Sequence, residues 1–154
     1  MPPAAAARRR RLIAIAVPAA LVVLVVGFLA ARWLTTENRE RDAVYTLLEA
    51  EAAGDAQRVL DHLDGCDAAC AARTRAFLPR VRGAGEVKIA RLDSGTSYSF
   101  GTKTGTTRVV WVHGVDARPL VQCVVVRRHG GPLTGRSVSL LRVSAPLADN
   151  EGSC

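Results

Sequence analysis

Val109-Val110-Trp111-Val112 and Val121-Gln122-Cys123-Val124-Val125-Val126 are two nearly unbroken apolar runs, rich in β-branched and aromatic residues and separated by Gly114, Asp116 and Pro119. Short runs of this composition, bounded by turn residues, predict buried strands. The link between them is too short for a crossover, so they pair antiparallel. Their near-continuous apolarity predicts central strands, with helix on one face and a partly covered second face. Working outward, the pair extends over Thr107 to Val115 and Leu120 to Arg128, and Glu86 to Leu92, Thr96 to Phe100 and Val138 to Ser144 have the same character. Gly101, Gly105, Gly130 and Gly131 fall between runs, where hairpin turns account for them without a phosphate-binding loop.

Upstream the period changes. Thr35 or Thr36 is placed to cap a helix, Glu37 and Glu40 suit its first turn, and Val44, Leu47, Leu48 and Ala52 fall on one helical face. Gly54 supplies a helix end, and Asp55 restarts a helix through Val59, Leu60 and Leu63. Asp67 caps a third helix over Ala68 to Leu78, halted near Pro79. Helices first and strands afterwards predict an α+β domain, with the helices packed on one side of a curved, mainly antiparallel sheet.

The segment Leu47-Leu48-Glu49-Ala50-Glu51-Ala52-Ala53-Gly54-Asp55-Ala56-Gln57-Arg58-Val59-Leu60 resembles the opening helices of the nuclear transport factor 2-like superfamily, the cystatin-like cone. The strands from Val87 onward, with Pro119-Leu120-Val121-Gln122-Cys123-Val124 as a long late strand, are similar to that fold's mixed, strongly bent sheet. The resemblance covers roughly Asn38 to Ser144 and implies a membrane-anchored cone of the actinobacterial cell envelope, a source that the Ala/Arg/Val-rich composition fits. Anchored cones of this kind serve as assembly subunits in conjugation and type IV secretion machines, and others accompany lipid-import systems. Catalytic members, the ketosteroid isomerases and polyketide cyclases, set an acid or His base opposite a Tyr, Asp or His donor. No such pair can be carried over residue by residue here. The available groups are Asp93, Asp116, His113, Tyr45 and Tyr98, and His113 beside Gly114 at a strand end reads as a partly exposed histidine.

From Leu12 to Ala31 every residue is apolar, Gly or Pro, about 30 Å of helix and enough to cross the hydrocarbon core of a bilayer. Arg8, Arg9, Arg10 and Arg11 precede the run and Arg32 alone follows it closely, so the N-terminus is expected inside and everything after Arg32 outside. A cleaved secretory signal shares the basic start, but its apolar region is normally only about 7–15 residues and ends in a small-x-small site, where Leu29-Ala30-Ala31 offers Leu. Pro18 and Gly27 are tolerated in spanning helices. The expected organisation is a basic cytoplasmic tail over 1–11, a transmembrane helix over 12–34, an exported α+β domain over 35–145 and a C-terminal tail over 146–154.

The chain's 154 residues include 21 Lys and Arg against 14 Asp and Glu. Removing the five arginines that flank the apolar run leaves 16 bases against 14 acids on the exported part, a net of +2. The high pI is therefore a topology signal, and nucleic acid is not an expected partner. Arg73, Arg75, Arg80 and Arg82 read as a solvated helix face, and Arg127 with Arg128 as a strand end.

All four cysteines, Cys66, Cys70, Cys123 and Cys154, lie beyond the apolar run, an even number in an oxidising compartment, so disulfides are expected and three pairings are open. Cys66 precedes the Asp67 cap and can fold back, which makes a bond to Cys70 feasible and leaves Cys123 to tie down the tail at Cys154. A metal site from His62, Cys66 and Cys70 would need reduced thiols and a fourth ligand. The Cys-x-x-x-Cys spacing differs from the reactive Cys-x-x-Cys of redox enzymes. No cofactor and no catalytic constellation are expected. The leading expectation is a non-catalytic interaction or assembly module that meets the bilayer and docks an envelope partner or a second copy. The alternative is a cone that binds an apolar small molecule or lipid through Phe77, Phe100 and Trp111, and an isomerase- or cyclase-like enzyme comes third.

Overall fold

The computed structural model describes residues 3–96, 101–114, 118–130, 137–148 and 154, and within the first helix the side chains of 16–31 and 38–53. The chain divides into two units, Met1–Asn38 and Arg39–Cys154. Helix α1, Pro3–Ala53, contains Pro18 and is already helical at Thr35 and Thr36, so neither residue is a cap. Adding a residue to a formed helix costs far less than nucleating a new one, and a Thr inside a pre-existing helix therefore does not start another. In the first unit Val17, Leu21, Val23, Leu24, Phe28 and Leu29 are all more than half exposed. Among the described residues no helix is long and apolar enough to cross a membrane. The side chains of Arg8 to Arg11, Leu12 to Ile15 and Arg32 to Leu34, on which the expectation of a spanning helix leans, lie outside the described residues.

In the second unit, Glu40, Val44, Leu47, Leu48 and Glu51 follow one another at intervals of four, three, one and three along α1, and all are 0% exposed. That spacing keeps them on a single stripe. The helix ends at Gly54, whose φ of 72° is a left-handed conformation that favours glycine. The N–H of Gly54 donates to Glu51 O and that of Asp55 to Ala50 O, the paired bonds of a Schellman ending. Asp55 then caps α2, Ala56–Asp61, by accepting from the Arg58 N–H. Asp67 caps α3, Ala68–Val81, by accepting from the Cys70 N–H at 2.7 Å. Contrary to expectation α3 continues through Pro79, because Thr74, Phe77, Leu78 and Val81 complete a buried face and a proline in the last turn forfeits only one hydrogen bond.

The sheet is a four-stranded meander in the order β1, Val87–Asp93; β2, Lys103–His113; β3, Leu120–His129; β4, Ser137–Val143. Among the described residues all three strand pairings are antiparallel, in keeping with a mainly antiparallel sheet, and Leu63 adds one isolated parallel bridge to Leu140. Of the expected strand at Thr96 to Phe100, Thr96 is not extended into the sheet and residues 97–100 lie outside the described set. Gly105 sits inside β2 and not in a turn: an added Cβ at its neighbour Gly95 would meet Thr106 O at 2.1 Å, so the two backbones touch there. Ala90 in β1 and Leu141 in β4 are extra residues in their ladders, and such bulges bend the strands that carry them.

Alternation sorts the sheet into two faces. Thr107, Val109 and Trp111 of β2, Gln122, Val124, Val126 and Arg128 of β3, and Leu140 of β4 are buried. They form one core with the α1 stripe and with Val59, Phe77 and Val81 of the shorter helices. The opposite face carries the half-buried Val110, Val112, Val121, Cys123 and Val125, as expected for central strands covered fully on one side only.

Candidate functional site

Two carboxylic acids stand at the ends of the α1 stripe and meet polar groups from the covered face of the sheet. Glu40 Oε1 accepts from Thr107 Oγ1 at 2.6 Å, and its Oε2 accepts from Arg128 Nε at 2.8 Å and also from Arg128 Nη2. Ser94 and Thr96 complete the cluster, Ser94 Oγ accepting from Arg128 Nη2 at 3.0 Å. Glu40 is 0% and Arg128 7% exposed, so the pair is held away from water. Fork-like donation by a guanidinium, supplemented by hydroxyls, is what a buried carboxylate needs to offset its lost hydration.

Glu51, three turns further along α1, has no cation beside it among the described residues. Its Oε2 accepts from Gln122 Nε2 at 2.9 Å, Gln122 Oε1 accepts from Trp111 Nε1 at 2.6 Å, and Gln122 Nε2 also donates to Ser144 O at 3.0 Å. Glu51 Oε1 finds no partner among the described residues. Burial without a counter-charge pushes the Glu51 carboxyl up from its ordinary 4.5 to about 8, against the opposing pull of the Gln122 bond. Glu51 is thus a neutral acid at neutral pH, tying α1 to β2, β3 and the segment after β4.

The cysteines pair Cys66 with Cys70 and Cys123 with Cys154, with Cα separations of 5.4 and 5.7 Å. Cys66 lies outside the helix that Asp67 opens, which lets residues only four apart reach one another. Cys123 projects from the open face of the sheet. On the same face the strands place Lys88 and Arg91 of β1, Arg108 of β2, Arg127 of β3 and Arg142 of β4, whereas Asp93 is the sole acid that the four strands place there. Asp93 is engaged by Arg91 at 2.8 Å, and Glu86 and Asp64 reach Lys88 and Arg127 at 3.5 and 4.0 Å from flanking segments.

Of the acid, His and Tyr groups available as catalytic candidates, the described Asp93, His113 and Tyr45 sit on three different elements, β1, β2 and α1. Asp93 lies on the open face with Arg91, and Asp116 and Tyr98 are outside the described residues. His113 packs its ring 5.6 Å from that of Trp111 and closes over Gly83, where an added Cβ would come within 1.9 Å of it. The Tyr45 hydroxyl is pushed up by burial and then by the neighbouring Glu49 carboxylate. Trp111 and Phe77 are core residues, and Phe100 lies outside the described set. Arg73, Arg75, Arg80 and Arg82 are exposed, whereas Arg127 and Arg128 are split between the two faces, so the pair is not a solvated strand end. Among the described residues no group of three or more His, Cys, Asp or Glu could hold a metal ion.

A surface cavity of about 450 Å³ is lined by Thr46, Asp61, His62, Asp64, Val138 and Ser139 among others. A second, of about 380 Å³, is lined by residues including Glu49, Arg58, Gly83 and Glu86. Neither cavity is lined by Glu40 or Glu51, and both acids are 0% exposed. Comparison with models of known protein families, with curated proteins and with solved structures finds no match for the chain.

Proposed function

We propose that this chain is a single-pass, membrane-anchored module of a bacterial cell envelope, with an extracytoplasmic α+β domain that acts by docking a partner protein or a second copy and not by catalysis. The observation that carries the anchor is the uninterrupted apolar run Leu12 to Ala31, on which Val17, Leu21, Leu24 and Phe28 stand more than half exposed. Large apolar side chains exposed around a helix are costly in water and suited to lipid. The arginine asymmetry supplies the direction, and two disulfides fit an oxidising compartment. Docking is favoured over ligand binding because the space between α1 and the sheet is occupied by Leu47, Leu48 and Trp111, each 0% exposed. The order of elements, a long helix closed at Gly54, a short helix and then a bulged antiparallel sheet, is what supports reading the domain as a small relative of the cone, of the kind found in actinobacterial envelopes.

A reporter active only outside the cytoplasm, fused after Cys154, is expected to be active, and the same reporter at the N-terminus silent. The membrane fraction should retain the chain through carbonate extraction. Cytoplasmic activity of the C-terminal fusion, or release by carbonate, would overturn the reading.

A further inference from the structure

We propose that the Cys123–Cys154 disulfide is an exchangeable clasp, opened by an attacking thiolate at Cys154 with Cys123 as the leaving group stabilised by Arg108. The two disulfides are not equivalent. Cys154 is exposed to an incoming nucleophile. Cys123 is half-buried on a central strand. In the other bridge Cys70 is only 5% exposed, and Cys66 lies between Asp64 and Asp67, whose charges repel an incoming thiolate.

The leaving-group side is also built. Arg108 is the direct cross-strand partner of Cys123, and both project from the open face. Side chains in such a pair have Cβ atoms about 4.5–5.5 Å apart. The Arg108 Nε is buried and has no hydrogen-bond partner among the described residues. A thiolate released at Cys123 would give it one. Asp93, the neighbour of Arg108 on β1, has its carboxylate turned to Arg91. The other groups that β3 and β4 place on this face are Arg127, His129 and Arg142, so the surroundings of Cys123 favour a negative sulfur. Thiolates are stabilised beside cations, and a leaving thiol of lower pKa departs faster.

The chemistry is thiol–disulfide exchange with a thiol as co-reactant. An external thiolate forms a bond to Cys154 Sγ while the Cys123–Cys154 bond breaks, and that bond's electron pair leaves on Cys123 as a thiolate. With a dithiol, its second thiolate then attacks its own sulfur in the mixed disulfide and expels Cys154 as a thiolate. The dithiol is oxidised by two electrons and the clasp is reduced by two. The first step alone leaves a monothiol bound on Cys154. Either way Cys154 is released from the sheet and a reactive sulfur appears at the middle of the open sheet face, while the bonds from Ser144 and Leu147 to β3 still hold the segment after β4.

The full-length chain in mild detergent, exposed to reduced glutathione or to dithiothreitol, then acid-quenched, alkylated and mapped, tests this. Cys123 and Cys154 should open about tenfold or more faster than Cys66 and Cys70. The glutathione adduct should sit on Cys154, with Cys123 alkylated. Arg108→Ser should slow opening several-fold, and Arg108→Lys, which keeps the charge, should retain most of the rate. Opening of Cys66–Cys70 first or at an equal rate, an adduct on Cys123, or a rate indifferent to both substitutions would overturn the proposal.

Discussion

Glu51 is the residue whose ionisation most directly opposes the fold. Its carboxyl is held at about 8 by burial, against 4.5 when exposed, so between these values the folded chain binds a proton that the unfolded chain has released. Stability therefore falls as pH rises from about 4.5 to about 8, by up to about 1.4 kcal/mol per pH unit from this group, and levels off above. Glu51→Gln removes the titration, and its unfolding midpoint should be higher than the parent's at pH 8, with a flatter pH profile between pH 5 and 8. Glu40 poses the opposite problem, since its charge is matched. Arg128→Ala strands a buried carboxylate and is expected to cost about 3–5 kcal/mol in denaturant unfolding, whereas replacing Glu40 and Arg128 together by Leu and Met should cost much less. Both acids were open to detection, because Glu40 and Glu51 are eleven residues apart on the stripe that Val44, Leu47 and Leu48 already mark as buried. What no local pattern contains is the partner. Arg128 is 88 residues from Glu40 and is indistinguishable in sequence from its half-buried neighbour Arg127 until the strand's alternation assigns their faces.

At the level of elements, the turn from α1 to α2 is legible because its chemistry is local: Gly54 takes φ 72°, and Asp55 both ends one helix and caps the next. Gly54→Ala must adopt a left-handed conformation, and its Cβ would also stand 2.7 Å from Arg82 Cδ. The backbone cost is about 1 kcal/mol, and since the Arg82 side chain can swing away, the drop in unfolding free energy should stay near that value. Pairing Gly54→Ala with Arg82→Ala should leave the loss nearly unchanged, and a large recovery would show that the side-chain collision dominates. The strands were legible from composition, but the bulges at Ala90 and Leu141 were not, because an extra residue in a ladder is set by the partner strand's register. Thr35 and Thr36 misled for a related reason: a capping residue acts only where a helix begins, and here the preceding residues are already helical.

For the molecule as a whole, the two disulfides divide the work unequally. The Cys123–Cys154 bridge spans 31 residues of sequence and the Cys66–Cys70 bridge four. Closing the longer loop restricts the unfolded chain more, by about 3–4 kcal/mol in the chain-entropy view against about 2 for the shorter. Cys123→Ser with Cys154→Ser should therefore lower the unfolding free energy more than Cys66→Ser with Cys70→Ser. The comparison must be made with each remaining bridge intact, checked by alkylation. The longer bridge links β3, at the centre of the sheet, to Cys154, so its loss acts on the segment that carries Ser144, whose carbonyl accepts from Gln122. Gln122 in turn serves Glu51 and Trp111, and the whole-molecule effect should reach the pH profile as well. If the tail loosens and water reaches this network, the Glu51 carboxyl becomes better solvated and its pKa falls toward 4.5. The bridge-free variant is then expected to be less stable at every pH but to lose stability less steeply between pH 5 and 8. Parallel profiles displaced by a constant amount would show instead that the tail's contribution is purely the entropy of the loop.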